Sequence, residues 1–447
     1  MFPTTSQLRE MLRMVILNKE EQGHVVDGLA AELYSLPDSY DFYYAFARRL
    51  AALPLRSDWP YVEPNDLPGI WAECDPHRPT GALGEVDLDD AARRVEAGFL
   101  GRVCGCILGK PLEMRPTLAE LRYALERTGE WPLDDYVSEG ALDAFGRRHA
   151  SWAATVRGRI SYVAPDDDIN YTLLGLLLLE KHGPALGLAD VRDEWLRQLP
   201  IAMTYGPERT MLVMAGLNHL PGGRPDALEG WADFINPAEE KCGALIRADA
   251  YGYACPGRPA LAAELAWRDA SWTHRRTGIY GAMFVAAAIA AAAVLSDPLE
   301  VIFTALRYVP RRSRFFRVAS DSLDEVARAS DWLDGYRRIH GRYAEYGHCL
   351  IYQEVGTLIN TLRFARSVGE GICIQVMQGN DTDSFGATAG SLLGVFFGPG
   401  HLEERWLAPF GDALRTSLAQ FTERSLTEVA RRMGRLPRRV ADALAQP

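Results

Sequence analysis

The chain has 447 residues, 48% of them hydrophobic and 24% charged, with a formal net charge of −11 at pH 7. This length and apolar content predict a folded globular protein with one large domain or two ordinary ones. The acidic balance, with Arg and Lys scattered along the chain, excludes a dedicated electrostatic binder of nucleic-acid polymers. A nucleotide ligand of this protein is therefore expected to be a small molecule.

The sequence lacks the signals of secretion and of membrane insertion. Residues 1–22 have neither the apolar core nor the small-residue cleavage site of a signal peptide. The Ala-rich run at residues 281–295 is too short to span a bilayer and predicts a buried helix. Seven cysteines, an odd number without a Cys-x-x-Cys pair, favour reduced thiols over a disulfide framework or a zinc site. We expect a cytoplasmic protein without membrane contact.

Apolar residues at helical spacing dominate the chain from its start, where Leu8, Met11, Leu12 and Ile16 follow this pattern. Alternation with a period of two is scarce, so the predicted class is all-α. Six prolines between residues 54 and 79 interrupt any helix there. Residues 1–85 are therefore predicted to be a helical extension with a Pro-rich connector, and residues 86–447 the main all-α domain.

Two segments carry a glycine at every fourth position, and an acidic residue accompanies each. The glycines are Gly101, Gly105 and Gly109 in the first segment, and Gly386, Gly390, Gly394 and Gly398 in the second. Glycine within a helix costs about 1 kcal/mol relative to alanine, so close approach of two central helices is the expected compensation. Glu113 follows the first segment at a helix C-terminus, where a carboxylate is unfavourable, which indicates a functional role.

Three consecutive carboxylates, Asp166, Asp167 and Asp168, precede an apolar run that ends at Gly183, the predicted C-cap. Adjacent carboxylates repel one another unless a cation or a helix N-terminus offsets their charge. Since the following run is apolar on nearly every face, we expect its N-terminal end to be buried and the acids to line a cleft.

A second acidic cluster, Asp381 and Asp383 with Ser384, precedes the second glycine segment. Carboxylates two residues apart and a neighbouring hydroxyl are suitable oxygen ligands for a hard divalent cation. An EF-hand is excluded because Phe385 and Leu392 stand where that loop needs ligands. Helix capping is the structural alternative, but it requires only one of these side chains. The cluster therefore predicts half of a metal site.

Together the three segments resemble the ADP-ribosylglycohydrolase family. Its pattern is a Gly-rich helix ending in GDALGxPxE, then TDDT before a central helix, then GGDTDT followed by small residues. Here these motifs read GCILGKPLE at residues 105–113, DDDI at residues 166–169 and GNDTDS at residues 379–384. The last motif is the most specific of the three.

The resemblance implies a compact orthogonal all-α bundle whose central cleft holds two Mg²⁺ ions, with Mn²⁺ as an alternative. The metals would grip the ribose diol beside the scissile anomeric bond, with Glu113 and Asp167 as the catalytic residues for proton transfer. The implied metal ligands are Asp166, Asp167, Asp168, Asp381, Asp383 and Ser384. Cys106 and Ile169 depart from the family pattern at an Asp and a Thr.

Further positions are assigned by the resemblance to the substrate side. Arg247 is expected either to contact a phosphate or to form a structural salt bridge, and His274 either to be buried or to contact ribose or phosphate. Arg275, Arg276 and residues 307–317 are candidates for a diphosphate contact. The implied substrate-binding residues are Gly243, Arg247, His274, Gly379 and Asn380.

These features lead to one principal hypothesis and two alternatives. The principal hypothesis is a Mg²⁺-dependent glycohydrolase that removes ADP-ribose from a modified protein side chain or a small acceptor. The first alternative is an N-ribosyl hydrolase acting on a free nucleoside or nucleotide. The second is a non-catalytic ADP-ribose-binding protein, which would not need clustered, mutually repelling carboxylates. The sequence leaves the oligomeric state open.

Overall fold

The structure is a computed structural model that describes residues 3–219, 221–223 and 230–445. Within these residues no β-strand forms, and sheet-like pairing is limited to isolated bridges such as His24 with Leu55. The prediction of an all-α protein is therefore confirmed. In the same part of the chain, no helix combines the length and the hydropathy needed to cross a membrane.

The α-helices follow one another through the described residues, and longer connections occur at residues 146–166, 219–248 and 408–425. They are α1 (Thr5–Glu21), α2 (Leu29–Ser35), α3 (Tyr40–Ala51), α4 (Leu67–Glu73), α5 (Leu88–Gly109), α6 (Leu118–Thr128), α7 (Glu139–Phe145), α8 (Asp167–His182), α9 (Leu188–Gln198), α10 (Gly206–Asn218), α11 (Asp249–Ala254), α12 (Pro259–Ala270), α13 (Thr277–Ala292), α14 (Pro298–Leu306), α15 (Arg314–Arg328), α16 (Trp332–Tyr343), α17 (Tyr352–Phe364), α18 (Val368–Met377), α19 (Thr382–Phe397), α20 (Glu404–Leu407), α21 (Leu426–Gly434) and α22 (Leu436–Ala445).

Helices α5 and α19 pack closely along their glycines, as the four-residue spacing predicts. A Cβ atom at Gly386 would lie 2.6 Å from the carbonyl oxygen of Gly105, and one at Gly105 would overlap the carbonyl of Gly386. Gly101 and Gly390 face each other in the same way. Gly398 differs from the other glycines because it ends α19 at a φ of 79°. Because these glycines carry no side chains, the two helices approach closely and the C-terminus of α5 lies against the N-terminus of α19.

Helix α13 lies at the centre of the main core, and every one of its residues is buried. Its sequence consists mostly of alanine and larger apolar residues, which leaves it without a polar face. The buried helix predicted from the Ala-rich run is confirmed, although it begins earlier, at Thr277, and ends at Ala292.

The first three helices form their own apolar cluster, which includes Leu12, Leu33 and Phe46. Phe234 and Ile235 from the rest of the chain pack against this cluster. Polar bonds add to the contact: Asn18 donates to the Pro237 carbonyl at 2.5 Å, and Gln22 donates to Glu239 at 2.6 Å. These bonds hold the N-terminal helices against residues 237–239.

Candidate active site

The carboxylates of the two acidic motifs lie at the N-termini of α8 and α19. Asp166 is the N-cap of α8, and its Oδ1 accepts a hydrogen bond from the Asp168 amide at 3.0 Å. Asp381 occupies the N-cap position of α19 without a side-chain capping bond in the described structure. Asp166, Asp168, Asp381 and Asp383 are all at most 4% exposed. The partial positive charge of each helix N-terminus offsets part of the cost of burying these groups.

Lys110, just after α5, joins the two acidic clusters. Its Nζ lies 2.6 Å from Glu113 Oε2, 2.7 Å from Asp166 Oδ2 and 2.7 Å from Asp383 Oδ2. The 3-10 turn at Lys110–Leu112 continues α5 directly, so the glycine contacts with α19 also fix the position of this ammonium. A buried ammonium with three carboxylate partners is a strongly stabilised arrangement only as long as all partners are present.

Burial and the charges of Lys110 and Asp383 together give Glu113 and Asp383 very different pKa values. Burial acts to raise the pKa of Asp383, but the Lys110 ammonium outweighs it and lowers the pKa to about 2. Burial and the negative charge of Asp383 raise the pKa of Glu113 to about 9. Burial and the charge of Asp166 raise the pKa of Asp167 well above its ordinary value. At neutral pH the site therefore combines an anion at Asp383 with a protonated acid at Glu113.

Asp168 lies deepest in the site, next to Arg102 of α5. Arg102 Nη2 is 3.8 Å from Asp168 Oδ1 and donates to the backbone carbonyl of Asp168 at 2.6 Å, while Nη1 bonds Asp249. Both carboxylate oxygens of Asp168 are buried and have no hydrogen-bond partner among the described residues. Arg102 thus binds the first turn of α8 and supplies part of the positive charge that offsets the carboxylate of Asp168.

Asp381 faces two cysteines from distant parts of the chain. Its Oδ2 lies 3.2 Å from Cys349 Sγ and 3.5 Å from Cys242 Sγ. A hydrogen bond from the Cys242 thiol lowers the pKa of Cys349 well below its ordinary value, although burial opposes this effect. Burial and the charge of Cys349 raise the pKa of Asp381. None of the seven cysteines forms a disulfide, which agrees with the prediction of reduced thiols.

The residues of the site fit the predicted metal set only in part. Asp166 has both oxygens engaged, one by the Asp168 amide and one by Lys110, and Lys110 also holds Asp383 and Glu113. The Lys110 ammonium therefore lies among three of these carboxylates, and the expectation of two cations held by all of these oxygens stays a prediction. Four buried carboxylate oxygens still lack a partner within the described residues, and they fit a cation: both of Asp168, Oδ1 of Asp381 and Oδ1 of Asp383.

A cavity of about 220 Å³ opens beside these groups. The acidic residues on its wall are Glu113, Asp167, Glu208 and Asp381, joined by Lys110 and Ser384. A larger cavity of about 470 Å³ shares Lys241 with it and is lined by residues of the N-terminal segment and of α15. The two cavities together are large enough for a ligand of several rings, whereas the smaller one admits little more than a sugar.

Of the predicted substrate-binding residues, Gly243 lies on the wall of the smaller cavity. Arg247 is 1% exposed and is bound to Glu208 at 2.5 Å and to Asp269 at 2.9 Å, which leaves it no access to a phosphate. His274 is fully buried, with Nδ1 bonded to Thr273 and Nε2 accepting from the Ala244 amide. The salt-bridge and buried-histidine alternatives therefore describe these two residues, and neither contacts the cavity.

Gly379 and Asn380 form the backbone turn that leads into α19. Gly379 has a φ of 82°, and a Cβ there would overlap the Pro116 carbonyl. Asn380 also has a positive φ, 62°, and donates its amide to the same carbonyl at 2.8 Å. Neither is among the described residues lining the cavity. Their placement indicates that they orient Asp381.

The arginines predicted to meet a diphosphate are already paired. Arg275 is bonded to Asp233, and Arg276 lies 3.2 Å from Glu239. In the 307–317 segment, Arg314 is bonded to both Glu63 and Glu240, but exposed Arg317 lines the larger cavity. Of these residues, Arg317 is the one best placed for an incoming anion.

Sequence reasoning missed the residues that organise the site: Lys110, Cys242, His348, Cys349 and Glu354. A signal for Lys110 existed, since it is one of four lysines in the chain and stands within the GCILGKPLE motif. The cysteines and Glu354 gave no such signal, because their neighbours in sequence are not their partners in space.

The geometry agrees with the comparisons to known proteins. The sequence profile described as ADP-ribosylglycohydrolase matches residues 87–435. A solved structure described as "ADP-ribosylglycohydrolase-related protein complex" has 19% sequence identity and a TM-score of 0.51, over 78% of this chain and 99% of that chain; at this identity it shows a shared fold. Curated protein sequences give no match. The family profile covers most of the chain, and the protein belongs to the ADP-ribosylglycohydrolase family.

Proposed function

We propose that this protein is a hydrolase that cleaves the anomeric bond of an ADP-ribosyl group, releasing ADP-ribose from a modified protein side chain or a small acceptor. The observation that carries the proposal is the convergence of Glu113, Asp166 and Asp383 on Lys110 at the wall of a cavity. The family supports glycosidic hydrolysis in general. The bond, the acceptor and the ribosyl substrate are our proposal.

Glu113 is the proposed general acid. It lines the cavity, and its raised pKa of about 9 keeps it protonated at neutral pH. A carboxylic acid in this state can protonate the leaving group as the anomeric bond breaks. Lys110 donates a hydrogen bond to its Oε2 at 2.6 Å and so fixes the carboxyl group.

Asp383 is the proposed anionic partner of Glu113. The Lys110 ammonium keeps it ionised, and its Oδ1 is free of partners in the described residues. A fixed negative charge stabilises the positive charge that develops on the sugar in an oxocarbenium-like transition state. Asp167, also on the cavity wall, is proposed to accept the proton of the attacking water.

A divalent cation is proposed to complete the site, with Mg²⁺ preferred and Mn²⁺ as the alternative. The residues proposed to hold it are Asp167, Asp168, Asp381, Asp383 and Ser384. Buried oxygens of Asp168, Asp381 and Asp383 have no hydrogen-bond partner among the described residues and are suitable for a hard cation. When bound, such an ion orients the sugar diol and polarises water. Asp166, whose two oxygens are engaged by Lys110 and by the first turn of α8, is proposed to support this set and not to be one of its free ligands.

The larger cavity is the proposed site for the diphosphate and adenosine part of the substrate. Lys241 lies on the walls of both cavities, and Arg317 and Tyr346 line the larger one. Trp59 and Tyr61 of the N-terminal segment contribute to the same wall. We therefore propose that residues 1–85 form an extension that helps to bind substrate, and that residues 86–447 form the catalytic domain of a cytoplasmic protein.

Hydrolysis of a free nucleoside or nucleotide is the second candidate. It is favoured by the size of the cavity beside Glu113, about 220 Å³, which suits a sugar better than a complete ADP-ribosyl group. The two candidates differ in whether the larger cavity takes part in binding.

A substrate panel separates these activities. The purified protein is incubated with ADP-ribosylated arginine and serine peptides and with free nucleosides, each in Mg²⁺ or in EDTA, and released sugar or base is measured. Release of ADP-ribose from a peptide, dependent on the metal, supports the first candidate. Turnover of nucleosides alone supports the second, and tight ADP-ribose binding without any turnover supports a non-catalytic binding protein.

A further inference from the structure

Two cysteines and one aspartate converge at the edge of the proposed active site. Cys242 begins the 3-10 helix at Cys242–Arg247, Cys349 precedes α17, and Asp381 precedes α19. The amide of Cys242 donates to the carbonyl of Cys349 at 3.2 Å, which holds the two loops together. The two sulfurs and one carboxylate oxygen all lie within 4.8 Å of one another.

We infer that Cys242, Cys349 and Asp381 bind a thiophilic divalent cation, for which Zn²⁺ is the best match. Tetrahedral zinc, with Zn–S of about 2.3 Å and Zn–O of about 2.0 Å, places sulfur and oxygen about 3.5 Å apart. Asp381 Oδ2 lies 3.5 Å from one sulfur and 3.2 Å from the other. Both sulfur–oxygen separations are thus close to the edge length of a zinc tetrahedron, and all three ligand atoms lie within 4.8 Å of one another.

Unpartnered buried groups point to the same cation. Asp381 is 2% exposed, and its Oδ1 has no hydrogen-bond partner in the part of the chain that the structure describes. The same holds for Nδ1 of His348, next to Cys349. Three groups that can each carry a negative charge repel one another at these distances unless a cation or shared protons offset the charge. A metal ion satisfies them at once.

Glu354 of α17 holds the backbone of two of the three ligands, Cys349 and Asp381. Its Oε1 accepts hydrogen bonds from the amides of Cys349, at 3.0 Å, and Asp381, at 3.2 Å, and its Oε2 accepts from Ile351 at 3.1 Å. Cys349 and Ile351 have φ values of 65° and 66°, which L-residues rarely adopt. One buried carboxylate therefore fixes the strained loop of Cys349 and the start of α19 in a single arrangement.

The ligand set selects against magnesium. Thiolates favour zinc and other soft ions, whereas Mg²⁺ takes oxygen ligands. Three protein ligands and a fourth position facing the cavity are typical of zinc sites that keep one coordination position for water or substrate. Cys242, Cys349, His348 and Glu113 line that cavity, so the fourth position is open to substrate or to either nearby side chain. This inference rests on the proposed function only for the role of the cavity.

Metal content tests the site. Protein purified in reducing buffer without chelator is analysed by elemental mass spectrometry, and one zinc per chain is expected. Cys242→Ser/Cys349→Ser should lose that zinc, and Cys255→Ala, which changes a buried cysteine outside the site, should keep it. Added Co²⁺ should give thiolate-to-metal charge-transfer absorption in the wild type but not in the double variant. Wild-type protein that takes up neither zinc nor cobalt would overturn the inference.

A second measurement uses only the wild-type protein, so it tests the site even if the double variant does not fold. Zn²⁺ should slow alkylation of Cys242 and Cys349 in the wild type by about tenfold or more, because only the free thiolate reacts. Mg²⁺ should have no effect, and a chelator should restore the rate. A disulfide between the two cysteines in place of metal, or equal protection by Mg²⁺, would refute the site.

The zinc site and the proposed hydrolase activity can be refuted independently of each other. Zinc binding without hydrolysis of any ADP-ribosyl or nucleoside substrate would leave the metal site standing and refute the proposed activity. Mg²⁺-dependent release of ADP-ribose by protein that binds no zinc would do the reverse.

Discussion

The ammonium of Lys110 lies 2.7 Å from Oδ2 of Asp383, although 273 positions separate the two residues in sequence. The contact exists because glycines remove every side chain between α5 and α19, so that the end of one helix meets the start of the other. A fixed internal cation thereby stands among carboxylates that the family resemblance assigns to metal. It lowers the pKa of Asp383 to about 2, whereas burial and the charge of Asp383 raise the pKa of Glu113 to about 9 despite the nearby ammonium.

Replacing Lys110 with methionine should make the protein depend on divalent cations for stability. Loss of one partner from a buried ion cluster typically costs about 3–5 kcal/mol, and here the buried carboxylates of Asp166 and Asp383 would be left without their counter-ion. Thermal unfolding should therefore occur at a lower temperature in EDTA and recover when Mg²⁺ is added. Lys181→Met is the control, because its side chain is 51% exposed and pairs weakly with Glu194. Equal stability of Lys110→Met and wild type in EDTA would contradict this account.

A single methyl group at Gly105 should separate α5 from α19. Its Cβ would overlap the carbonyl of Gly386, backbone that cannot move without shifting the helix. We expect Gly105→Ala to lower the free energy of unfolding by about 1–3 kcal/mol or more, the usual cost of overpacking. Gly341→Ala, on the exposed side of α16 with open space around it, should instead gain up to about 1 kcal/mol. Urea denaturation measures both, and a neutral Gly105→Ala would refute the close packing.

Arg247→Met should damage stability and leave substrate affinity unchanged. The substitution strands Glu208 and Asp269 without their cation in the core, a loss of about 3–5 kcal/mol for a buried pair. Arg197→Met, at an exposed position of α9, provides the comparison. Denaturation curves and the KM of the folded protein are the measurements. A raised KM with normal stability would mean that Arg247 contacts a phosphate after all.

The rate of hydrolysis should fall as the pH rises through the pKa of Glu113, about 9. Below this pH the group carries the proton that the leaving group needs, and above it the proton is lost. Glu113→Gln keeps the shape but has no acidic proton, so its rate should be low and should show no such fall. The profile of kcat/KM between pH 6 and pH 10 measures the effect. An identical profile for wild type and Glu113→Gln would exclude Glu113 as the acid.

The sequence predicted those features that depend on residues close together in the chain. The 3.6-residue period gave the helices, the glycine spacing gave the contact of α5 with α19, and consecutive carboxylates marked the first turn of α8. Cys242 and Cys349 could not be assigned to the site from the sequence, because only the tertiary fold brings them to Asp381. Arg247 and His274 were ambiguous for a related reason: burial decides between a ligand contact and a salt bridge, and burial follows from packing. The division at residue 85 remains a prediction.

Hydrolysis by Asp383→Asn tests the central claim most directly. The substitution keeps the size of the side chain but removes the anion that Lys110 maintains at the site. Release of ADP-ribose from ADP-ribosylated peptides, or of base from nucleosides, should fall by about 10²- to 10⁴-fold relative to wild type. Circular dichroism and thermal unfolding of the same preparation establish that the variant is folded. Undiminished hydrolysis by folded Asp383→Asn would contradict the assignment of catalysis to this cluster.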